Sequence, residues 1–272
     1  MPAFVGSVLL SLFVAVSGWS EDSFVTLAST SSTRNSGLLD AILPVFEAKT
    51  GISVRVLATG TGQALRIARN GDADLLLVHD RASEERFVAE GWGTRRYPLM
   101  HNDFVIVGPA DDPAGVRGLT DAPAALERIA RTEAPFVSRG DRSGTHMAEI
   151  RLWRTSGVHP TDASGAWYRE LGAGMGATLN TAAAMDAYTL ADRGTWLSFR
   201  NRAGLQLLVQ GDPRLHNPYG LIPVDPKRHP HVNAKAARHL VEWLISEEGQ
   251  SAISGFRIEG EALFVPNALE QP

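Results

Sequence analysis

The first twenty positions hold no charged residue, and the apolar run 4–16 ends in the small residues Ser17 and Gly18. Such a block has the make-up of an export-leader core and is short for a membrane span. Cleavage is expected after Ser17 or Ser20. Beyond it, short apolar runs alternate with segments of helical period. Residues 24–28 predict a strand, and Leu38, Leu39, Ile42, Leu43 and Phe46 fall on one helical face that Gly51 terminates. Residues 52–57 alternate as a strand, Gly60-Thr61-Gly62 turns into a helix running to Asn70, and 74–78 is a continuous apolar strand. The order βαβαβ predicts a parallel sheet with ligand sites where strands end and helices begin.

A second set of the same kind starts with the apolar run 105–109, followed by a helix over 123–132, a strand at 136–137 and a helix over 144–156. Ser143 or Asp141 is the expected N-cap of that last helix and Gly157 its stop. A glycine-dense turn (Gly172, Gly174, Gly176), a helix into Asp186 and strands at 187–190 and 205–209 follow. Residues 217–224 read as a return strand and 234–256 as an amphipathic helix pair that would pack back on the first set. The α/β order therefore predicts two hinged lobes: 21–107 plus 218–272 form lobe I, 108–217 form lobe II, and 1–20 are the leader.

Composition narrows the chemistry. The chain has 272 residues, enough for two α/β lobes, and no cysteine, which excludes disulfides, thiolate metal sites and a thiol nucleophile. A net charge of −4 and a pI near 6.1 give no global field for nucleic acid or an anionic membrane. An anion would have to be held locally.

Three strand-to-helix turns offer the means. The string Ser29, Thr30, Ser31, Ser32, Thr33 carries five hydroxyls; Gly60-Thr61-Gly62 and Ser143-Gly144-Thr145 add more. Ser/Thr clusters serve as ordinary caps and turns, but three of them at helix starts put hydroxyls and free N–H groups at positive termini, an arrangement suited to oxyanions. Arg139, in the turn Ser138-Arg139-Gly140-Asp141, is the expected countercharge, with Arg142 read as a surface residue. Gly176 and the pair Asp192 and Arg193 are expected to approach or close the pocket, although a tight turn and a structural ion pair explain them equally well. Enzyme signatures Gly-x-Ser-x-Gly, His-Glu-x-x-His and Gly-x-x-x-x-Gly-Lys are absent. His146 next to Ser143 lacks an orienting carboxylate in the sequence, and His229-Pro-His231 sits in a proline-rich loop. No catalytic residue, resident metal or cofactor is assigned.

Taken in order, the strings 29–40, 60–64, 70–74, 102–109, 138–146, 174–180 and 192–195 resemble those of the periplasmic tungstate-binding proteins of ABC transporters. The resemblance implies a type II periplasmic binding protein fold, each lobe a mostly parallel sheet flanked by helices, closing on a tetrahedral oxyanion. The first loop departs from the family's usual Thr-Thr-Thr-Ser, reading Ser29-Thr30-Ser31-Ser32 here. The implied oxyanion-binding residues are Thr30, Ser31, Ser32, Thr61, Gly62, Arg139, Ser143, Gly144, Thr145, Gly176, Asp192 and Arg193. The implied ligand is tungstate or molybdate. The implied partners are a membrane permease and its ATPase, with no nucleic acid, for a monomer in the periplasm. A periplasmic phosphate- or sulfate-ester hydrolase, which would need a nucleophile or metal, and a ligand-sensing domain remain the alternatives.

Overall fold

The computed structural model describes residues 24–258 and 260–269; the expected leader lies outside them. The elements run β1 (Phe24–Thr30), α1 (Ser31–Asn35), α2 (Leu38–Thr50), β2 (Ser53–Thr59), α3 (Thr61–Asn70), β3 (Leu75–Val78), α4 (Arg81–Ala89), β4 (Tyr97–Pro109), α5 (Ala122–Arg131) and β5 (Phe136–Ser138). They continue with α6 (Gly144–Ser156), β6 (Tyr168–Glu170), α7 (Met175–Ala184), β7 (Thr189–Asp192), α8 (Arg193–Ser198), β8 (Leu205–Val209) and β9 (His216–Pro223). The chain ends with α9 (Ala234–Leu244), α10 (Glu247–Gly255) and three two-residue strands, β10 (Arg257–Ile258), β11 (Glu261–Ala262) and β12 (Val265–Pro266).

Local chemistry sets most of these bounds as expected. Gly51 ends α2 at φ +69° and Gly157 ends α6 at φ +74°, the left-handed conformation that glycine adopts without strain. Ser143 caps α6, its Oγ accepting the His146 N–H at 3.3 Å. The hydroxyl string differs from expectation. It is not a loop, because β1 passes directly into α1, with Thr30 Oγ1 accepting the Thr33 N–H at 3.2 Å as the cap.

The sheet order is β12-β4-β9-β3-β1-β2, with β7 and β8 also paired to β4. The βαβαβ unit gives the parallel β3-β1-β2 core, whereas β9 runs antiparallel to both β3 and β4. The decisive element is β4. Its first half pairs with β9 up to Asp103↔His216, and its second half pairs with β7 from Phe104↔Asp192 and with β8 from Ile106. One backbone therefore belongs to both lobes. Only the second half had an apolar pattern; Pro98, His101, Asn102 and Asp103 mask the first, and the register slips between Pro98 and Met100.

Alternate residues of each strand feed opposite faces, as period-two side chains must. In the first lobe Val25, Leu27, Leu75 and Leu77 pack with α2, α9 and α10, while Ala28, Leu76 and Val78 pack with α3 and Phe87 of α4. In the second, Phe104 and Ile106 join α5 and α6, and Val105 and Val107 join α7 and Trp196. Helix α4 had no legible pattern because only Glu84 and Phe87 of it are buried.

The C-terminal helices return to the first lobe through Asp74. Its Oδ2 accepts the Thr26 N–H at 2.7 Å and its Oδ1 accepts the Asn233 N–H at 2.6 Å, joining β1, β3 and the start of α9. Removing that carboxylate leaves two backbone donors without acceptors. Asp74→Ala is expected to lose about 2 to 4 kcal/mol, seen as a lower urea midpoint at unchanged slope; a loss below about 1 kcal/mol would mean that water replaces the carboxylate and that the tie is dispensable.

Candidate functional site

The ends of β1, β2 and β3 lie on one side of a seam and the end of β5 on the other. Thr30 and Ser32 are buried at the start of α1, Thr61 is the buried first residue of α3, and β3 delivers His79 and Asp80. From the second lobe, Ser138 leads into the turn of Arg139 to Ser143 that opens α6. The lobes touch here. The Gly144 N–H donates to Thr61 Oγ1 at 3.1 Å, and two turns further along α6 Arg151 Nη1 donates to Asp80 Oδ1 at 3.0 Å. Because the Thr61 oxygen receives the Gly144 N–H, its own hydrogen is left to point elsewhere.

Gly144 has no room for a side chain. A Cβ there would stand 2.8 Å from His79 Cε1. His79 is itself held from both sides, Nε2 at 3.2 Å from Ser32 Oγ and Nδ1 at 2.9 Å from Asn217 Oδ1, with its ring stacked 4.8 Å from that of Tyr219. Asn217 in turn donates to Asn102 Oδ1 at 2.6 Å. Burial pushes the His79 imidazole below its usual range; Asp192 and Asp80 oppose that and Arg139 reinforces it.

Arg139 is 5% exposed. Its Nη2 donates to Asp141 Oδ2 at 2.6 Å, and Asp141 Oδ1 accepts the Ser143 N–H at 3.1 Å. Burial would raise the Asp141 carboxyl, but the Ser143 hydrogen bonds and the Arg139 charge hold it below the usual carboxylate range. Arg139 Nε and Thr145 Oγ1 are buried with no hydrogen-bond partner among the described residues. Orphaned donors of this kind are costly unless something else accepts from them. The Ala173 N–H donates to the Arg139 carbonyl at 3.1 Å, which sets the glycine-rich approach to α7, and with it half-buried Gly176, against the same turn.

The structure thus gathers Ser32, Thr61, Gly144 and His79 at direct contact, with Thr30 bonded to Ser32 and with Arg139, Ser143 and Thr145 on the adjoining turn. Ser31 is half-buried and Gly62 exposed. Asp192 and Arg193 are committed elsewhere. Asp192 caps α8, both its oxygens taken by Thr195 at 2.8 Å. Arg193 makes a two-pronged pair with Asp103 at 2.6 and 2.7 Å and reaches Gln210 at 2.9 Å, bracing β4 where it changes partners. Arg142 is exposed, and its N–H donates to His146 Nδ1 at 3.0 Å, so that histidine props the turn. His229 and His231 face the carbonyls of Arg69 and Gly71 at the end of α3.

Sequence reasoning missed His79, Asn217 and the Asp80–Arg151 pair. The signal for His79 was its place directly after β3, where this topology puts ligand groups. A cavity of about 460 Å³ along the same seam is lined by His79, Asn217, Arg81, Arg151 and Arg214 but by none of the hydroxyl turns. Its arginines are paired, with Glu85, Asp80 and Asp212 respectively, and unlike the buried Arg139 they stay 42 to 68% exposed, so water screens what charge they would offer an anion.

Behind the Arg139 turn lies an unusual carboxyl. Glu149 of α6 is buried and accepts from Tyr168 Oη at 2.8 Å, Ser138 Oγ at 2.9 Å and Trp153 Nε1 at 3.2 Å. Burial pushes it up to about 7, against the pull of these three bonds. A raised acid binds its proton more tightly when folded, so its contribution is full below the ordinary value of 4.5 and declines as pH rises to about 7. The stability of the parent relative to Glu149→Gln is expected to fall by about 3 kcal/mol between pH 4.5 and 7.5. Urea titrations of both proteins across that range check it, and a constant difference would show that the carboxyl titrates normally.

A two-lobed curled sheet whose hydroxyl-bearing helix starts meet across a seam defines a ligand-binding protein of the periplasmic-binding class, and the profile of the PBP superfamily domain matches residues 15–248. A curated tungstate-binding protein TupA of Peptoclostridium acidaminophilum is 47% identical over 250 residues, 90% of this chain and 86% of its own. The tungstate-binding protein TupA from Desulfovibrio alaskensis G20, a solved structure, superposes with a TM-score of 0.79 at 46% identity, covering 90% of this chain and 99% of its own. The tungstate ABC transporter structure from Geobacter sulfurreducens gives 0.79 at 45% identity over 86% of this chain and 98% of its own. The chain belongs to the TupA family of the PBP superfamily.

Proposed function

We propose that this protein captures tungstate outside the cytoplasmic membrane and delivers it to the permease of an ABC transporter as a binding protein, without turning it over. The observation that carries the reading is Arg139: a buried guanidinium with an unpartnered Nε, set beside helix starts and hydroxyls contributed by both lobes. The family relationship supports the same ligand. Thr30, Ser31, Ser32, Thr61 and Gly62 would face the anion from lobe I, and Arg139, Ser143, Gly144, Thr145 and Gly176 from lobe II. Asp192, which caps α8, and Arg193, which braces the crossing, are left out of the anion's shell. We place the lobe boundary at the partner exchange of β4, so that residues up to 103 and from 216 onward form lobe I and 104–215 form lobe II, a few residues from the 107/108 and 217/218 bounds read from the sequence; export is directed by residues 1–20 and the mature chain acts as a monomer.

The physics favours a fully deprotonated oxyanion. A dianion leaving water needs each oxygen satisfied, and N–H groups held at helix starts, with hydroxyls that can turn to donate, supply this. Asp80, Asp141 and Asp192, carboxylates close to the seam, have both oxygens occupied, so none is left free to accept the proton of monohydrogen phosphate. Closure between lobes then completes the shell and presents one surface to the permease.

Thermal melts test the ligand. At a thousandfold excess over Kd, tungstate is expected to stabilise the fold by about 4 kcal/mol, with molybdate as the comparison and phosphate at equal concentration giving little shift; equal shifts from phosphate and tungstate would overturn the selectivity. The site is tested by substitution. Arg139→Ala is expected to weaken tungstate binding by about 2 to 5 kcal/mol and Arg142→Ala by less than about 1 kcal/mol. Arg139→Lys, which keeps the charge but not the planar fork, should fall between parent and alanine. Calorimetric titration of folded variants reads these losses, and an Arg139→Ala protein that binds like the parent would remove Arg139 from the site.

A further inference from the structure

Two of the hydroxyls expected to face the anion, those of Thr30 and Ser32, are joined with that of Thr33 in a chain whose hydrogens have a direction. Asn217 uses its amide N–H on Asn102, so its Oδ1 is the atom facing His79, and His79 Nδ1 must carry the hydrogen of that 2.9 Å contact. In a neutral ring Nε2 is then an acceptor, and the 3.2 Å contact to Ser32 consumes the Ser32 hydrogen. With that hydrogen spent, the 3.0 Å contact between Ser32 and Thr30 needs the Thr30 hydrogen, and the 2.7 Å contact between Thr30 and Thr33 needs that of Thr33. All three hydroxyls thus donate towards His79 and present lone pairs elsewhere. That is the wrong polarity for a dianion.

Adding a proton at Nε2 reverses the last step. His79 then donates to Ser32 Oγ, and the Ser32 hydrogen is released. We propose that His79 is a positioning residue for anion binding, which takes up a proton as the dianion enters and so turns Ser32 from an acceptor into a donor. The inference rests on the reading of the seam as an oxyanion site.

The surroundings of His79 suit a ring that is neutral in the empty protein and charged in the filled one. Burial disfavours the imidazolium, as does Arg139 on the turn after β5. Asp192 at the end of β7 and Asp80, next in the chain, favour it, but Asp80 is shared with Arg151 and Ser83, and Asp192 is occupied by Thr195. Tyr219 of β9 stacks on the ring, and burial raises its phenol, so it stays neutral. A bound dianion is the added negative charge that tips this balance. It also neutralises the Arg139 field.

Calorimetric titration of the parent with sodium tungstate at pH 7.5, in HEPES, imidazole and Tris buffers of differing ionisation enthalpy, measures the protons taken up. A positive slope of up to one proton per anion is expected, with affinity tightening by up to tenfold per pH unit from pH 8 to 6.5. His79→Gln, which has no titrating ring, should still bind, more weakly, with a slope of zero. Asn217→Asp, whose carboxylate charges the ring in advance, should bind with a reduced slope. Tungstate binding by the parent with no proton uptake would overturn the proposal, and it is the result expected if the Asn217 amide faces the other way. Uptake that persists in His79→Gln would also overturn it, placing the proton elsewhere. No binding of tungstate by the folded parent would overturn the oxyanion reading itself.

Discussion

The backbone ladder along β4 is the constraint on which the architecture depends. A strand of 13 residues exchanges hydrogen bonds with β9 over its first half and with β7 and β8 over its second. The lobes cannot separate without breaking that ladder, yet they can twist about it, since the exchange of partners falls between Asp103 and Phe104. The Arg193–Asp103 pair sits at that exchange. It ties the start of α8 to β4 at the point where the strand changes partners.

A seam spanned by one shared strand suits a proposed site built from helix starts. The ends of β1, β2 and β3 and the end of β5 all face the seam, and the chain turns at each into a helix whose first amides have no partner within the helix and, at α1 and α6, take side-chain or cross-lobe caps. Opposed positive termini repel when empty. Hydroxyl oxygens and cross-lobe bonds such as Gly144 to Thr61 soften that repulsion and Arg139 adds to it, in part offset by Asp141; an anion between them removes it. Charge is therefore spread over dipoles and rigid turns, which a net-acidic chain supplies without a basic surface.

Much of this was legible because the relevant signals are local. Ser143 and Gly157 bracket α6, Gly51 stops α2, and the apolar run of β8 was read to the residue. Arg139 stood out because glycine and aspartate flank it in a turn before a capped helix. The parts that stayed hidden depend on distant partners. The first half of β4 carries Pro98, His101 and Asn102, a poor strand by propensity that β9 and β12 nevertheless pair. Helix α4 buries too little to show a stripe. His79 acquires its role from Ser32, 47 residues before it, and Asn217, 138 residues after it. No spacing rule connects those three. Arg193 and Asp192 show the converse: residues conspicuous in sequence whose partners, once visible, are structural.

On the proposed reading of the seam, Gly144 sets how long a ligand stays. Its amide reaches Thr61 only because nothing projects towards His79, and His79, pinned between Ser32 and Asn217 and stacked on Tyr219, cannot step aside. A single methyl at this position would hold the lobes ajar by the width of the clash without removing any group assigned to the anion. Capture from solution would proceed as before, since the open form is the one that admits the anion. Escape would quicken, because the closed form is the one that retains it. The missing side chain thus acts on residence time, and through it on how far a captured ion can be carried before it is lost.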